Sequence, residues 1–238
     1  MAKHSSVSTN KPPIDTADLR AKLTELLNTP FLNVLTQEEM PIGNFQWGVY
    51  AFYDYDGEPI YVGQTNEKVR TRIRRHLTNQ RTDAVAMSVL DPFEVYEIEV
   101  YPLPQFEGRK AKDKEAKAAL DGLERAVYES AIAKSKFGAI LNEKNPPEVA
   151  SSIALEDIPS FRGCIVSSRV FELRNHPDFR IARRALIISR LAQVISERKV
   201  QNGLRRVLLT QAKRLAWLSE QRFIAMGGEV AVPEEAND

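Results

Sequence analysis

The run from Trp47 to Gln80, WGVYAFYDYDGEPIYVGQTNEKVRTRIRRHLTNQ, constrains this chain more than any other stretch. Two alternating segments, WGVYAFY and PIYVGQ, flank DYDGE, and an Asp-Gly pair between alternating runs is a strong hairpin signal. With Asp56-Gly57 at the turn, Phe52 faces Tyr61 and Tyr50 faces Gly63. Successive strand residues point to opposite faces, so Tyr50 and Tyr61 share one face, and Gly63 leaves room above the Tyr50 phenol. Beyond the hairpin, Val69, Ile73 and Leu77 recur at four-residue steps, which predicts a helix with that stripe buried. Arg72 and His76 lie at the edge of the stripe, one helical turn apart. Two phenols, a guanidinium and an imidazole therefore converge.

The rest of the chain supports this unit. Residues 1–14 are small and polar, as in a disordered arm. A helix capped by Asp15 or Thr16 carries Leu19, Leu23, Leu26 and Leu27 on one face, and residues 15–45 form a brace. After a connector with one expected helical turn at 84–90, residues 93–101 (FEVYEIEVY) alternate as a third strand. Residues 110–136 predict a long helix with the stripe Leu120, Leu123, Val127 and Ala131. Glu124 sits inside that stripe, where a carboxylate is costly unless paired or metal-bound. Residues 146–229 read as a linker and then two helices, 178–197 and 203–222, punctuated by Gly203. From Arg162 to Arg222 there are fourteen Arg and Lys against four Asp and Glu, which suggests a basic face. Residues 230–238 form an acidic tail.

Several classes are excluded or disfavoured. The opening MAKHSSVSTNKPP lacks the apolar core of a signal peptide, and no apolar run approaches a membrane span. The one cysteine, Cys164, rules out an internal disulfide and suits a reducing cytoplasm. No zinc spacing, Walker loop or dinucleotide fingerprint occurs, so no nucleotide cofactor is expected.

The ordered set GVY at 48–50, YVG at 61–63, Gln64-Thr65, and an arginine and histidine four residues apart resembles the GIY-YIG nuclease superfamily. The resemblance covers about residues 45–145 and implies an α+β fold: a three-stranded antiparallel sheet flanked by helices, here with an N-terminal helix and a basic helical extension. It implies Tyr50 as general base, His76 as its hydrogen-bond partner, Arg72 as the clamp on the phosphate and Tyr61 as a positioning group. Asn142, beyond the long helix, matches the family's asparagine. A glutamate on that helix would hold a divalent metal, Mg2+ or Mn2+. Glu124 is the first choice. Glu129, whose distance to Asn142 is nearer the family's usual spacing, is the alternative.

The expectation is therefore a cytoplasmic, metal-dependent endonuclease acting on DNA, most like the stand-alone restriction or defence enzymes and a homodimer on duplex substrate. The C-terminal charge would track phosphates. The alternatives are a DNA-binding protein that keeps the fold without cutting, and a repair or mobile-element nuclease that nicks one strand.

Overall fold

A computed structural model describes residues 14–33, 35–78, 89–149, 153–197 and 202–230. The expected arm at 1–14, the turn at 84–90 and the tail at 230–238 lie outside these residues, except for Ile14, Val89, Leu90 and Val230. The elements run α1 (Ile14–Leu27), β1 (Pro30–Asn33), β2 (Glu38–Pro41), β3 (Gly48–Tyr53), β4 (Pro59–Thr65), α2 (Val69–Leu77), β5 (Glu97–Pro102), α3 (Lys114–Lys134), β6 (Phe161–Cys164), α4 (Ser168–Asn175), α5 (Pro177–Glu197) and α6 (Asn202–Ala225).

The α+β expectation holds, with a larger sheet than the three strands read from the sequence. Four antiparallel strands stand in the order β4-β3-β5-β6, and β1 and β2 form a separate hairpin. Strand β6 lies where the sequence suggested a linker. Its four residues, FRGC, are too short and too polar to show an alternating pattern, and it is held by completing the edge of β5. The third strand begins at Glu97 rather than Phe93, because residues 92–94 form a 3-10 turn capped by Asp91.

Strand β3 is buried along its whole length, so both faces of the sheet are covered. On one face Tyr50 and Phe52 pack with Ile98 and Val100 of β5, with α1 and α2, and with Ile187, Leu191, Leu204 and Val207 of α5 and α6. On the other, Val49, Ala51 and Val62 pack against Leu120, Leu123 and Val127 of α3. The hairpin register is the expected one, Tyr50 opposite Gly63 and Phe52 opposite Tyr61, with an irregularity just beyond Phe52. Gly57 closes the turn at φ +70°, a left-handed conformation that glycine adopts without strain.

The arginine-rich C-terminal region departs from the solvated basic face that its composition suggested. Arg174, Arg180, Arg184 and Arg214 are all buried. Arg180 and Arg184 lie on the same stripe of α5 as Ile187 and Leu191, and Arg214 continues the stripe of Leu204, Val207 and Leu218 on α6. The charges of Arg180, Arg184 and Arg214 meet carboxylates, and Arg174 lies over the Phe93 ring. Arg184 donates from Nε to Glu94 (2.6 Å) and from Nη2 to Asp54 (3.0 Å). Arg214 donates to Asp54 (2.8 Å) and Glu94 (3.4 Å). Arg180 pairs with Asp56, and Arg183 grips Asp91 through two bonds of 2.7 and 2.8 Å. Leu186, off this stripe, is exposed.

Two arginines of α2 also serve the fold. Arg70 donates to the Leu27 carbonyl at 3.2 Å, and Arg74 to Thr24 Oγ1 at 3.0 Å, so both hold α1.

A buried ion pair contributes little net stability, but removing one partner strands a charge, at about 3–5 kcal/mol. Arg214→Met is therefore expected to lower unfolding stability in urea by about that much. Arg222→Met, which breaks an exposed pair with Asp178, is expected to leave it unchanged within error. Equal losses for the two variants would contradict a structural role for the buried network.

Candidate active site

Four side chains named from the sequence meet on one face of the hairpin. Tyr50 and His76 share a hydrogen bond, Oη to Nε2, of 3.1 Å. The Tyr61 ring lies 5.3 Å from the His76 ring and 6.4 Å from that of Tyr50, and it stacks on Phe52. Arg72 hydrogen-bonds the Tyr50 hydroxyl. Burial works against its charge, but Tyr50, Tyr61 and Glu67 outweigh that and push its pKa up. The convergence depends on Gly63. A Cβ there would lie 2.6 Å from Tyr50 Oη and 3.0 Å from Tyr61 Cε1, so no other residue fits without moving a phenol.

A cleft of about 630 Å³ opens beside this cluster, lined in part by Tyr61, Gly63, Arg72, His76, Glu124 and Asn142. Tyr50 is fully buried beneath it, and does not reach the surface of the cleft. His76 and Arg72, which both hydrogen-bond Tyr50, connect it to the cleft.

The two glutamates on α3 part company. Five residues along a helix correspond to a rotation of about 140°, so Glu124 and Glu129 cannot share a face. Glu124 faces the cleft, where its Oε2 accepts from Gln64 Nε2 at 2.9 Å. Glu129 is exposed and pairs with Arg125 one turn away. Glu124 forms no ion pair among the described residues. Burial, with Asp121 adding to it, pushes its carboxyl up to about 7, while Lys117, Gln64 and Arg72 act in the other direction.

This carboxylate, which forms no ion pair among the described residues, fits a divalent cation. No three His, Cys, Asp or Glu side chains cluster as a cage among the described residues. An ion here would be held by Glu124 with water and substrate oxygens completing its shell.

Asn142 acts on the backbone. Its Oδ1 accepts from Val62 N at 3.0 Å and its Nδ2 donates to Val62 O at 2.7 Å, so it pins β4 between Tyr61 and Gly63. Its own carbonyl accepts from Arg206 Nη2 at 3.1 Å. Gly203 lies so close to this loop that a Cβ would meet the Glu143 carbonyl at 1.9 Å. The expected punctuation at Gly203 is thus a point of close contact, where α6 presses on the wall of the cleft.

Sequence reasoning missed Arg206 and Asp121, and it noted Gln64 only as part of a motif. Asp121 could have been found one turn before Glu124; Arg206 carried no local signal.

The family model for the GIY-YIG catalytic domain matches residues 46–117. The match takes in Tyr50, Tyr61, Arg72 and His76 and stops short of Glu124 and Asn142. It supports placing this segment in the GIY-YIG superfamily and points to a nuclease in general. No curated protein and no solved structure matches the chain.

The raised Glu124 pKa has a consequence for stability. The folded value, about 7, lies above the unfolded one, so the folded state loses stability as pH rises from the usual carboxylate range through about 7. In EDTA, Glu124→Gln should raise the unfolding midpoint at pH 8 and leave it unchanged at pH 4. An equal shift at both pH values, or a drop at pH 8, would contradict this.

Proposed function

We propose that the chain is a divalent-metal-dependent endonuclease that hydrolyses phosphodiester bonds in DNA. One observation carries the reading: a half-buried carboxylate and a half-buried guanidinium face the same cleft, and among the described residues the carboxylate has no ion pair and the guanidinium's Nε no hydrogen-bond partner. An anionic group bridging a cation at Glu124 to Arg72 satisfies both. A phosphodiester is such a group.

In this reaction water attacks phosphorus, the P–O3′ bond breaks, the leaving O3′ takes a proton from solvent water, and the products carry a 5′-phosphate and a 3′-hydroxyl. The attacking water's proton passes to the Tyr50–His76 pair, whose 3.1 Å hydrogen bond lets a single proton be shared. Arg72 binds the non-bridging oxygens, where negative charge builds. The Tyr61 hydroxyl positions the phosphate. Asn142 holds β4 so that Tyr61 and Gly63 keep their places. Mg2+ or Mn2+, when bound at Glu124, would stabilise the charge on the leaving oxygen.

A restriction or defence role is the finer proposal. With one cleft in each chain, cutting both strands calls for a homodimer. Arg180, Arg184 and Arg214 are spent on the core, so phosphate contacts fall to groups nearer the cleft, Lys144 among them.

The test is cleavage of plasmid and phage DNA by the purified chain, in Mg2+ and in EDTA. Discrete fragments are expected in Mg2+ alone. Glu124→Ala should abolish them, Glu129→Ala should retain them, and Arg72→Ala should slow cutting by roughly 10²–10³-fold. Binding without cutting in all four proteins would favour a non-cleaving DNA-binding protein, and nicked circles alone would favour a single-strand nicking enzyme.

A further inference from the structure

Gln64 closes strand β4 on the face turned toward α3, and its carboxamide has two partners there. Nε2 donates to Glu124 Oε2 and to Asp121 Oδ1, each at 2.9 Å. Both partners are carboxylates, so the nitrogen, rather than the oxygen, must face them. Lys117, one turn earlier on α3, donates to the same Asp121 oxygen, Oδ1. The chain of contacts runs from Lys117 to Asp121, to Gln64 and to Glu124. Its first members are fixed by ion pair and strand, and its last faces the cleft. Gln64 Oε1 is buried and has no hydrogen-bond partner among the described residues.

We propose that Gln64 is the positioning residue of the metal site: anchored on Asp121, its amide fixes the rotamer of Glu124 and holds Oε2, leaving Oε1 of that carboxylate to bind the cation. Asp121, already neutralised by Lys117, is the anchor and not a ligand. The inference rests on Glu124 as the metal ligand and adds what keeps it in place. A lone carboxylate on a flexible side chain loses rotamer freedom when it binds a cation, and a bond made beforehand reduces that cost. Outer partners of this kind typically change metal affinity by about 10–100-fold.

The probe is Mn2+ added to the full chain without DNA, followed by water-proton relaxation, with the Mg2+ dependence of DNA cleavage measured in parallel. Gln64→Met keeps the length of the side chain and removes the N–H donor. It should weaken Mn2+ binding about tenfold and raise the Mg2+ needed for half-maximal cleavage by a similar factor. DNA affinity in EDTA should stay near that of the parent. A merely structural role would lower the unfolding midpoint and leave the metal dependence where it was. Gln64→Asn, whose amide falls short of α3, should behave like Gln64→Met, and gives the reading if the methionine variant does not fold. If Glu124→Ala loses Mn2+ binding while both Gln64 variants keep the parental affinity, the role of Gln64 is overturned and the metal site stands. If Glu124→Ala binds Mn2+ as the parent does, the site itself is misassigned and this inference falls with it.

Discussion

Asp54 and Glu94 are almost wholly buried, and the guanidinium groups of Arg184 and Arg214 lie between them. Charges are expensive to remove from water, and each of these four is tolerable only because the others are present. Burial opposes the ionised form of Asp54, but Arg214, Arg184 and Arg180 outweigh it and hold its carboxyl below the usual range. The stability gained this way is present above the unfolded pKa, about 3.9, and is lost as pH falls below it through the folded value. The arrangement selects one packing of the chain: a shifted helix α5 or α6 would leave buried charges unmatched.

The position of the network explains its reach. Asp54 belongs to the turn between β3 and β4, and its Oδ1 accepts from the N–H groups of Asp56 and Glu58, so it also shapes that turn. The strands it joins carry Tyr50 and Tyr61. At its other end α6 touches the cleft, through Arg206 on the carbonyls of Asn142 and Glu143 and through Gly203 against Glu143. The C-terminal helices therefore hold both the root of the β3–β4 hairpin and the wall of the cleft at Asn142 and Glu143. Damage to either helix is felt in the cleft with no substrate-contacting residue altered.

Much of this was legible in the sequence, for local reasons. The hairpin register followed from strict alternation around Asp-Gly, and the place of Gly63 followed from the register. Glu124 stood out because a carboxylate interrupted an apolar stripe, and Arg72 and His76 because they were one turn apart. Strand β6 left no trace, since four residues at an edge need no pattern of their own. The ion network was misread because composition counts charges without assigning them a face. The spacing 180, 184, 187, 191 held the clue, as the first two members lie on the buried stripe. Their partners Asp54 and Glu94 are distant in sequence, and no local pattern announces them. Gln64 and Asp121 face each other only once β4 and α3 are packed.

The proposed metal site for phosphodiester hydrolysis, between this hairpin and helix α3, can be seen directly in an anomalous scattering map from crystals of the chain with duplex DNA and Mn2+. A peak is expected at the Glu124 carboxylate, with a DNA phosphate between the ion and Arg72. A peak at Glu129, or DNA bound away from the cleft with no ion at Glu124, would contradict it.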